Sequence, residues 1–418
     1  MVDCCSTPGL MPLTEAKTRL LASVNSVTET QSVAIIDADK RVLAQPIYSP
    51  INVPGHNNSA MDGYALAFKH ASDECAEANS QFNLVGSAMA GQPFQGRLAP
   101  GEAVRIMTGA VVPDTADAVE MQENIHISES IISLSQAVKK HAHIRFSGED
   151  IAINSELFTA GHVISAIDIG LLASLGLADV SVYRKLRVAV FSTGDELKLP
   201  GQKLKHGDIY ESNRLVLIAM LKRLAVEVID LGVIADDVSD ITAAFMQADA
   251  QADAVISSGG VSVGDADYTK TVLAELGDIN FWKVAIKPGK PFAFGQLPNS
   301  VFFGLPGNPV SAAVTFHQLV VPTLEKMMAK TVEHQALMLP AMTTTRIKKR
   351  PGRTDFQRGW AAINEQGELT VTPLENQSSG VLSSISRANC YIVLAQLQGE
   401  YQSGELVNIS LFDQLIGA

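Results

Sequence analysis

The chain has 418 residues, of which 46% are hydrophobic and 18% are charged. This length predicts about two to four domains, and the composition allows sizeable cores. The net charge of −12 excludes broad nucleic-acid binding, because phosphate backbones require an excess of Lys and Arg. It leaves room for one small anion in a local basic pocket. No cysteine pair has C-x-x-C spacing, which argues against zinc sites and disulfides and favours a reducing cytosol: Cys4, Cys5, Cys75 and Cys390.

The N-terminal sequence and the hydropathy predict a cytoplasmic protein. The N-terminus lacks a basic region followed by an apolar stretch, so we expect no signal peptide. Apolar runs stay shorter than the roughly 20 residues that a membrane helix needs, so we expect no membrane span.

The chain up to about residue 183 combines helices with a strand-rich segment. Residues 12–30 predict a helix, and residues 33–36 and 42–44 predict short strand or helix pieces. From about residue 56 to 149, Gly, Pro and Asn interrupt short apolar runs, which is typical of a β-rich module. Residues 165–176 predict an apolar helix that ends at Gly176.

From about residue 184, predicted strands and helices alternate. Strands are expected in "LRVAVFS", "VEVIDLGVI", "ADAVISS", "FWKVAI" and "VFFGLPG", and helices between and after them. This alternation predicts a mostly parallel sheet covered on both faces, with ligands bound at the carboxyl ends of its strands. After about residue 334, runs such as "ELTVTPL" and "CYIVLAQL" predict a small C-terminal β-domain.

Three acidic loops follow predicted strands of this sheet. They contain Asp195 with Glu196, Asp236 with Asp237, and Asp265 with Asp267. The third loop, "SSGGVSVGDAD", is also glycine-rich and is suited to wrapping a phosphate with backbone N–H groups, although it lacks Walker A spacing. Carboxylates beside a phosphate require a cation between them. Each loop alone is more typical of a turn or helix cap, but three at one edge favour a cation site.

Basic residues and a rigid turn follow the acidic loops. "KVAIKPGKPFAFG" contains Lys283, Lys287 and Lys290, which indicates either an anion clamp or a solvated strand end. "GLPGNPVS", residues 304–311, predicts a rigid strand-to-helix turn.

Other polar stretches are less informative by themselves. "NNSAMDGYA" surrounds Asp62, "RIMTGAVVP" contains Thr108, "RTDFQRG" contains Arg358, and "NQSSG" contains Ser379. Each is typical of a turn or surface feature, although Arg is suited to bidentate oxyanion binding. The nine histidines have neither H-x-x-x-H nor H-E-x-x-H spacing, and we find no nucleophile–base set, so hydrolase functions lack support.

Together these motifs resemble the molybdopterin molybdenumtransferase family, which comprises bacterial MoeA and the E domains of gephyrin and plant Cnx proteins. The resemblance rests on "SAMDGYA", "RIMTGAVVP", "SGED", "FSTGDEL", "YESN", "LGVIADD", "SSGGVSVGDADYTK", "KVAIKPGKPFAFG", "LPGNPVS", "DFQRG" and "SSGVLSS". They stand in the family's order and span most of the chain. Those from residue 187 to 311 also resemble the related adenylyltransferases.

The resemblance implies an enzyme that takes adenylylated molybdopterin and molybdate, depends on Mg²⁺, releases AMP and forms molybdenum cofactor. It implies a multidomain α/β and β fold with a central molybdopterin-binding domain, a β-rich inserted domain and a C-terminal β-barrel-like domain. The expected boundaries are 1–55 plus 150–183 for a discontinuous dimerisation domain, then 56–149, 184–333 and 334–418. The expected partners are a second copy in a homodimer, a molybdopterin adenylyltransferase and downstream molybdoenzyme maturation proteins, with no nucleic acid and no membrane.

The resemblance also carries site residues over to matching positions. The expected catalytic residues are Asp62, Thr108, Asp150, Glu196, Asp236 and Asp267, of which Glu196, Asp236 and Asp267 are the expected metal ligands. The expected substrate-binding residues are Ser258, Gly259, Gly260, Ser262, Lys283, Lys287, Pro306, Pro309, Arg358 and Ser379. The family places its site between the β-rich module of one subunit and the α/β domain of the other.

Two alternatives stay open. An adenylyltransferase would turn over ATP and release pyrophosphate, and it would not need the extra domains. A non-enzymatic dimeric scaffold would bind a partner peptide, and a mutated acidic cleft would favour it, whereas here the cleft residues are all present.

Overall fold

The computed structural model describes residues 9–70, 72–259, 272–273, 275–331, 337–413 and 415–417. Several distinct sheets, each with its own buried core, confirm the predicted multidomain α/β and β fold. The domain boundaries stay a prediction. Within the described part of the chain, no helix is both long and apolar enough to cross a membrane.

The N-terminal segment contains one helix and two short strands: α1 (Leu13–Ala22), β1 (Thr30–Ala34) and β2 (Ile47–Tyr48). The prediction of a helix over residues 12–30 was wrong at its end, because the helix stops at Ala22. The Ser, Thr and Asn residues that follow are weak helix formers. A long-range contact then fixes the segment as extended chain, since the N–H of Val27 donates to the carbonyl of Met327 over 2.8 Å.

The strand-rich insert has ten strands: β3 (Asn58–Ser59), β4 (Gly63–Leu66), β5 (Cys75–Ala76), β6 (Gln81–Ala88), β7 (Glu102–Ile106), β8 (Ala118–Met121), β9 (Ile125–Ser128), β10 (Ile131–Leu134), β11 (Val138–Lys139) and β12 (Ile144–Arg145). Six of them form a sheet in the order β8-β4-β7-β6-β10-β9. Alternate residues of β4 lie in two separate cores, Tyr64 and Leu66 in one and Ala65 in the other, so both faces of this sheet are buried. The β-rich prediction is confirmed.

The chain then returns to the N-terminal segment through β13 (Glu156–Phe158), α2 (Ala166–Ser174) and β14 (Asp179–Tyr183). β14 pairs antiparallel with β1, and β13 pairs antiparallel with β2. Ser165 begins α2 with a capping box, in which its hydroxyl accepts from the N–H of Asp168 while the Asp168 carboxylate accepts from the N–H of Ser165.

The central α/β unit alternates strands with helices: β15 (Arg187–Thr193), β16 (Leu197–Lys198), β17 (Ile209–Tyr210), α3 (Asn213–Arg223), β18 (Glu227–Ile234), α4 (Val238–Gln251), β19 (Ala254–Ser258), β20 (Asp278–Lys283), β21 (Ile286–Lys287), β22 (Pro291–Gln296) and β23 (Val301–Leu305). The main sheet has the order β18-β15-β19-β23-β22-β20, and its first four strands are parallel. Val190 packs into the core with α3, whereas Phe191 packs against α4 on the opposite face. The mostly parallel, doubly covered sheet is confirmed.

A long helix, α5, follows the last strand. It consists of an α-helical turn region Pro309–Thr315, a π-helical turn Phe316–Val320 and a second α-helical part Val321–Met327. Pro309 stands at the first helical position, where its missing N–H costs no helical hydrogen bond.

The C-terminal region contains β24 (Leu339–Thr343), β25 (Thr354–Ile363), β26 (Leu369–Pro373), the short helix α6 (Ser383–Ser386), β27 (Cys390–Leu394) and β28 (Leu406–Leu411). Its strands pair in the order β25-β26-β24-β28-β27, and β27 pairs back with β25, so the sheet closes into a barrel. β21 of the α/β unit joins β25 as a parallel strand.

The chain after β28 lies against the α/β unit. His317 in the π-helical turn shares a hydrogen bond of 3.0 Å with the carboxylate of Asp413. Arg223 of α3 donates to the carbonyl oxygen of Gly417 over 2.7 Å. Phe412 and Ile416 pack against the core beneath α3 and α5. The barrel is therefore attached to the α/β unit by both β21 and its C-terminal segment.

Candidate active site

Two predicted residues of the insert meet through strand pairing. β4 and β7 are antiparallel with Gly63 opposite Ile106, so Asp62 just before β4 lies beside Thr108 just after β7. One carboxylate oxygen of Asp62 accepts from the N–H of Thr108 over 2.8 Å and from its hydroxyl over 2.7 Å. These two hydrogen bonds, with a smaller contribution from the charge of Arg105, lower the pKa of Asp62. The carboxylate is therefore held ionised at neutral pH.

Thr108 and Asp150 line a common cleft of about 400 Å³, formed by the insert and the residues that flank it in the chain. Its other lining residues are Val53, Pro54, Asn58, Ser59, Gly109, Arg145 and Glu149. The structure thus places Thr108 and Asp150 at one cleft, with Asp62 bonded to Thr108, and their role as site residues stays a prediction. Arg145 was missed, and its position is explained by the pairing of β12 with β3, which sets it opposite Asn58.

The acidic loops lie at the carboxyl edge of the parallel sheet. Asp195 and Glu196 follow β15, and Asp236 follows the neighbouring strand β18. The N–H of Asp236 donates to the carboxylate of Asp195 over 3.1 Å, so the two loops touch. Partial burial and the charges of Asp195 and Glu196 raise the pKa of Asp236. The raised pKa thus follows from the proximity of three carboxylates at this edge.

The third loop begins at the same edge. Ser258 ends β19 and is only 3% exposed, and the N–H of Gly259 donates to the carbonyl of Leu305 at the end of β23 over 3.2 Å. Gly259 has φ of +95°, and a Cβ there would lie 3.0 Å from the carbonyl oxygen of Thr193, so the turn requires glycine. Three residues predicted for this loop lie outside the described residues: Gly260, Ser262 and Asp267.

The predicted lysines flank the connection between the α/β unit and the barrel. Lys283 is exposed at the end of β20, and its carbonyl accepts from the N–H of Met11 over 2.9 Å. Lys287 lies on β21 and donates to the carboxylate of Asp355 on β25 over 3.1 Å. The Lys287 side chain is 45% exposed, whereas that of Asp355 is 2% exposed. One of the three ammonium hydrogens is thus used, and two are left for other acceptors.

The proline turn and the barrel meet at the start of α5. The N–H of Val310, next to Pro309, donates to the carbonyl of Ser379 over 3.0 Å. Pro306 lies in the same turn, between β23 and α5. The structure therefore brings Pro306, Pro309 and Ser379 together, although they come from two different units of the fold.

Arg358 is near this turn but points inward. It is 1% exposed, its Nε donates to the hydroxyl of Ser384 over 3.0 Å, and Nη2 donates to the carbonyls of Asn376 and Ser378 over 3.4 and 3.3 Å. Burial lowers the pKa of its guanidinium. The expected direct oxyanion contact stays a prediction, because the observed contacts hold the loop that carries Ser379.

Asn213 was not among the predicted site residues. This residue stands in the quoted stretch "YESN", and its Nδ2 bonds both the end of β19 and the proline turn. Neither contact follows from spacing, since both partners are distant in the chain. Among the described residues, no group of three or more His, Cys, Asp or Glu side chains is placed to hold a metal ion.

Comparison with known sequences covers the chain in three successive parts. Residues 11–176 match the MoeA N-terminal region (domain I and II), residues 189–326 match a probable molybdopterin binding domain, and residues 340–412 match the MoeA C-terminal region (domain IV).

Whole-length relatives agree with these matches. Molybdopterin molybdenumtransferase of Haemophilus influenzae is 44% identical over 409 residues, covering 98% of this chain and 100% of that protein. The protein of the same name from Bacillus subtilis is 32% identical over 413 residues, covering 98% and 95%. A crystal structure of a molybdopterin biosynthesis MoeA protein from Pyrococcus horikoshii superposes with a TM-score of 0.83 at 27% identity, covering 96% of this chain and 100% of that chain.

Proposed function

Because the chain belongs to the molybdopterin molybdenumtransferase family and is an enzyme of molybdenum cofactor biosynthesis, we propose that it uses adenylylated molybdopterin and molybdate. In this reaction Mg²⁺ is required, the pterin–AMP phosphoanhydride is cleaved, AMP is released, and molybdenum remains on the dithiolene. The adenylyltransferase alternative is less favoured, because the matched families extend over the insert and the barrel as well as the α/β unit.

The observation that carries the proposal is the contact between two acidic loops at the sheet edge, where the N–H of Asp236 donates to the carboxylate of Asp195 over 3.1 Å. The charges of Asp195 and Glu196, together with partial burial, raise the pKa of Asp236. A cation bound there would reverse this effect, and oxygen donors are the ligands that Mg²⁺ prefers. The donor chemistry of Glu196 and Asp236 therefore fits Mg²⁺, and we assign Asp267 as the third carboxylate.

The neighbouring groups have separate roles. Bound Mg²⁺ would neutralise charge that develops on the cleaved phosphate. Ser258 and the turn at Gly259 hold the phosphate side of the pterin. The exposed ammonium of Lys287, with Lys283, holds molybdate or phosphate as a point charge. Arg358 affects this anion site indirectly, because its guanidinium holds the loop that carries Ser379.

In this proposal, the insert of a second copy of the chain completes the active site. The hydrogen bonds described for Asp62 and Thr108 stay inside the insert, and those of Asp236 and Ser258 stay inside the α/β unit. We propose a homodimer in which the insert cleft of one subunit, with Asp150, faces the acidic edge of its partner. An adenylyltransferase as supplier, maturation proteins as acceptors and a cytoplasmic location complete the proposal.

A defined insertion assay tests this function. The protein is mixed with adenylylated molybdopterin, Mg²⁺ and molybdate, and AMP release is followed together with transfer of active cofactor to an apo-enzyme. We expect molybdate-dependent AMP release that falls at least about 100-fold in Asp236→Asn, as expected when a group at the reacting centre is removed. Asp237→Asn is the matched control, because asparagine keeps the helix cap that Asp237 gives α4.

Other outcomes would contradict the proposal in defined ways. ATP turnover with free molybdopterin, without AMP release from the adenylylated form, would indicate an adenylyltransferase. Wild-type protein that folds and dimerises but does neither would support the scaffold alternative. If Asp236→Asn and Asp237→Asn lose equal amounts of activity, Asp236 has no specific role in the reaction.

A further inference from the structure

The first turn of α3 connects several strands at the carboxyl edge. Glu211, just before the helix, accepts from the hydroxyl of Ser192 on β15 over 3.2 Å and from the N–H of Arg214 over 2.6 Å. Arg214 in turn donates to the carboxylate of Asp230 on β18 over 2.5 Å. Glu211 and Arg214 are both buried. The residues around Asn213 therefore form a fixed support beneath this edge.

Asn213 extends the same support to two further strands. Its Nδ2 donates to the hydroxyl of Ser258 over 2.9 Å and to the carbonyl of Gly307 over 2.7 Å. The orientation of the amide is determined by Gly307, since a carbonyl oxygen can only accept. Both amide hydrogens are thus used, one at the end of β19 and one in the turn after β23.

Helix stability does not explain an asparagine at this position. Ser212 is the N-cap residue, and Asn213 is the first residue inside the helix, where asparagine has a poorer helix propensity than alanine. Its side chain caps no N–H group and instead contacts two segments from elsewhere in the chain. The contacts outside the helix are the ones that require an amide.

One partner, Ser258, begins the glycine-rich loop, and the other, Gly307, lies in the proline turn after β23. Ser258 precedes Gly259, whose N–H is bonded to Leu305, and Leu305 precedes the turn that contains Gly307. Asn213 is therefore a side-chain connection between two backbones that meet at the carboxyl edge. Loss of its amide would leave the two turns joined only where the β19–β23 pairing ends, at Ser258, Leu305 and the Gly259 N–H, among the described contacts.

We propose that Asn213 is a positioning residue, which fixes Ser258 and Gly259 against the proline turn in the geometry that receives the phosphate of the pterin substrate. It acts through Ser258, since its donors are both used on protein atoms. This inference rests on the proposed function. Because displacement of a binding group by about 1 Å can cost about 100-fold, a loss of one order of magnitude or more in phosphate recognition is expected.

The test compares two probes on the full-length protein. Pterin fluorescence gives the Kd of molybdopterin and of the same pterin after phosphatase treatment, and the ratio of the two Kd values measures phosphate recognition. In wild type we expect a ratio above roughly 10, equivalent to one charge-assisted contact. In Asn213→Ala the ratio should approach 1, while the Kd of the dephosphorylated pterin changes little and the Tm stays within a few degrees. A role limited to fold stability would lower the Tm and leave the ratio intact.

Further variants keep the inference testable. Asn213→Asp has the same shape but cannot donate to Gly307, and it should show the same loss if Asn213→Ala does not fold. Ser258→Ala combined with Asn213→Ala should be no worse than either alone, because both act through one contact. Asn364→Ala is the matched control: its amide also bonds within a turn, but between β25 and β26 of the barrel.

The binding results distinguish a failure of the proposed function from a failure of the role proposed for Asn213. Wild-type protein that binds neither pterin would refute the proposed function and this inference with it. Wild-type protein that binds the pterin with a high ratio, retained in Asn213→Ala and Asn213→Asp, would overturn the inference and leave the proposed function intact.

Discussion

Gly289 is a position where one added methyl group should destabilise the fold by an amount that can be divided into two parts. It follows Lys287 and Pro288, has φ of +113°, and lies against α5. A Cβ at Gly289 would overlap Oγ1 of Thr315, while Ile286 Cγ2 and Ser311 O would be at an ordinary 3.6 Å. Thr315 is fully buried, and among the described residues its hydroxyl has no hydrogen-bond partner. The methyl group therefore meets one specific obstacle on a rigid helix.

The cost of Gly289→Ala has two parts. Left-handed backbone costs a residue with a Cβ about 1–2 kcal/mol, and overpacking of a core costs about 1–3 kcal/mol. The sum is about 2–5 kcal/mol, or a decrease in Tm of roughly 4–20 °C for a unit of this size. Removal of the obstacle in Gly289→Ala/Thr315→Ala should recover the overpacking part and leave about 1–2 kcal/mol for the backbone.

Thermal unfolding monitored by tryptophan fluorescence measures these differences. The chain has two tryptophans, so a Trp360→Phe background leaves Trp282 as the reporter of the α/β unit. Gly207→Ala is the control, because Gly207 has φ of +96° but no heavy atom lies within 4 Å of its added Cβ. The reasoning is refuted if Gly289→Ala costs no more than Gly207→Ala, or if the effects of Gly289→Ala and Thr315→Ala simply add.

Two further predictions concern pH. Burial acts to raise the pKa of Asp413, but the hydrogen bond and charge of His317, together with backbone hydrogen bonds from Leu415 and Ile416, lower it below its usual value. Asp413 thus stabilises the fold above about pH 4, and this contribution is lost as the pH falls through its lowered pKa. When the Tm is measured as a function of pH, Asp413→Asn should be less stable than wild type at pH 7 and equal to it in strong acid. The pKa of Asp236 is raised, so protonation should weaken Mg²⁺ binding at a higher pH than about 4, the pKa of an ordinary aspartate. Calorimetry at several pH values gives the midpoint of this loss, and Asp195→Asn should shift the midpoint to lower pH. An unchanged midpoint would contradict the coupling.

The α/β unit was predictable because its signals are local and redundant. Buried parallel strands such as β15 and β19 are short apolar runs, and each is followed by a polar loop, so the sequence places those loops at one edge without any knowledge of distances. The first helix was predicted too long for the opposite reason. Weak helix formers follow Ala22, and the extended path after them is fixed by a contact between Val27 and Met327, which no local pattern contains.

The candidate site also combines residues that local sequence patterns predict with residues whose positions depend on long-range contacts. Asp236 was identified from its loop, and its proximity to Asp195 follows from the pairing of adjacent strands. The burial of Arg358 was not predictable, because its partners lie in a loop whose path depends on barrel closure. Asn213 stood in a recognised motif, but only its three-dimensional contacts indicate what its amide does.

The strand β21 affects whether the barrel can be produced as a separate fragment. β26 pairs with β25 only along Gly359–Ile363, and β21 covers Thr354 and Asp355 on that strand. A fragment limited to the barrel would therefore have exposed backbone donors and acceptors at this place, and unpaired strand edges recruit other chains. Such a fragment would be prone to self-association, and it would also lack Lys287, one of two lysines paired with the buried Asp355. The barrel is thus not a portable module, and gene fusions or truncations that preserve function must keep β21 and β25 on the same polypeptide.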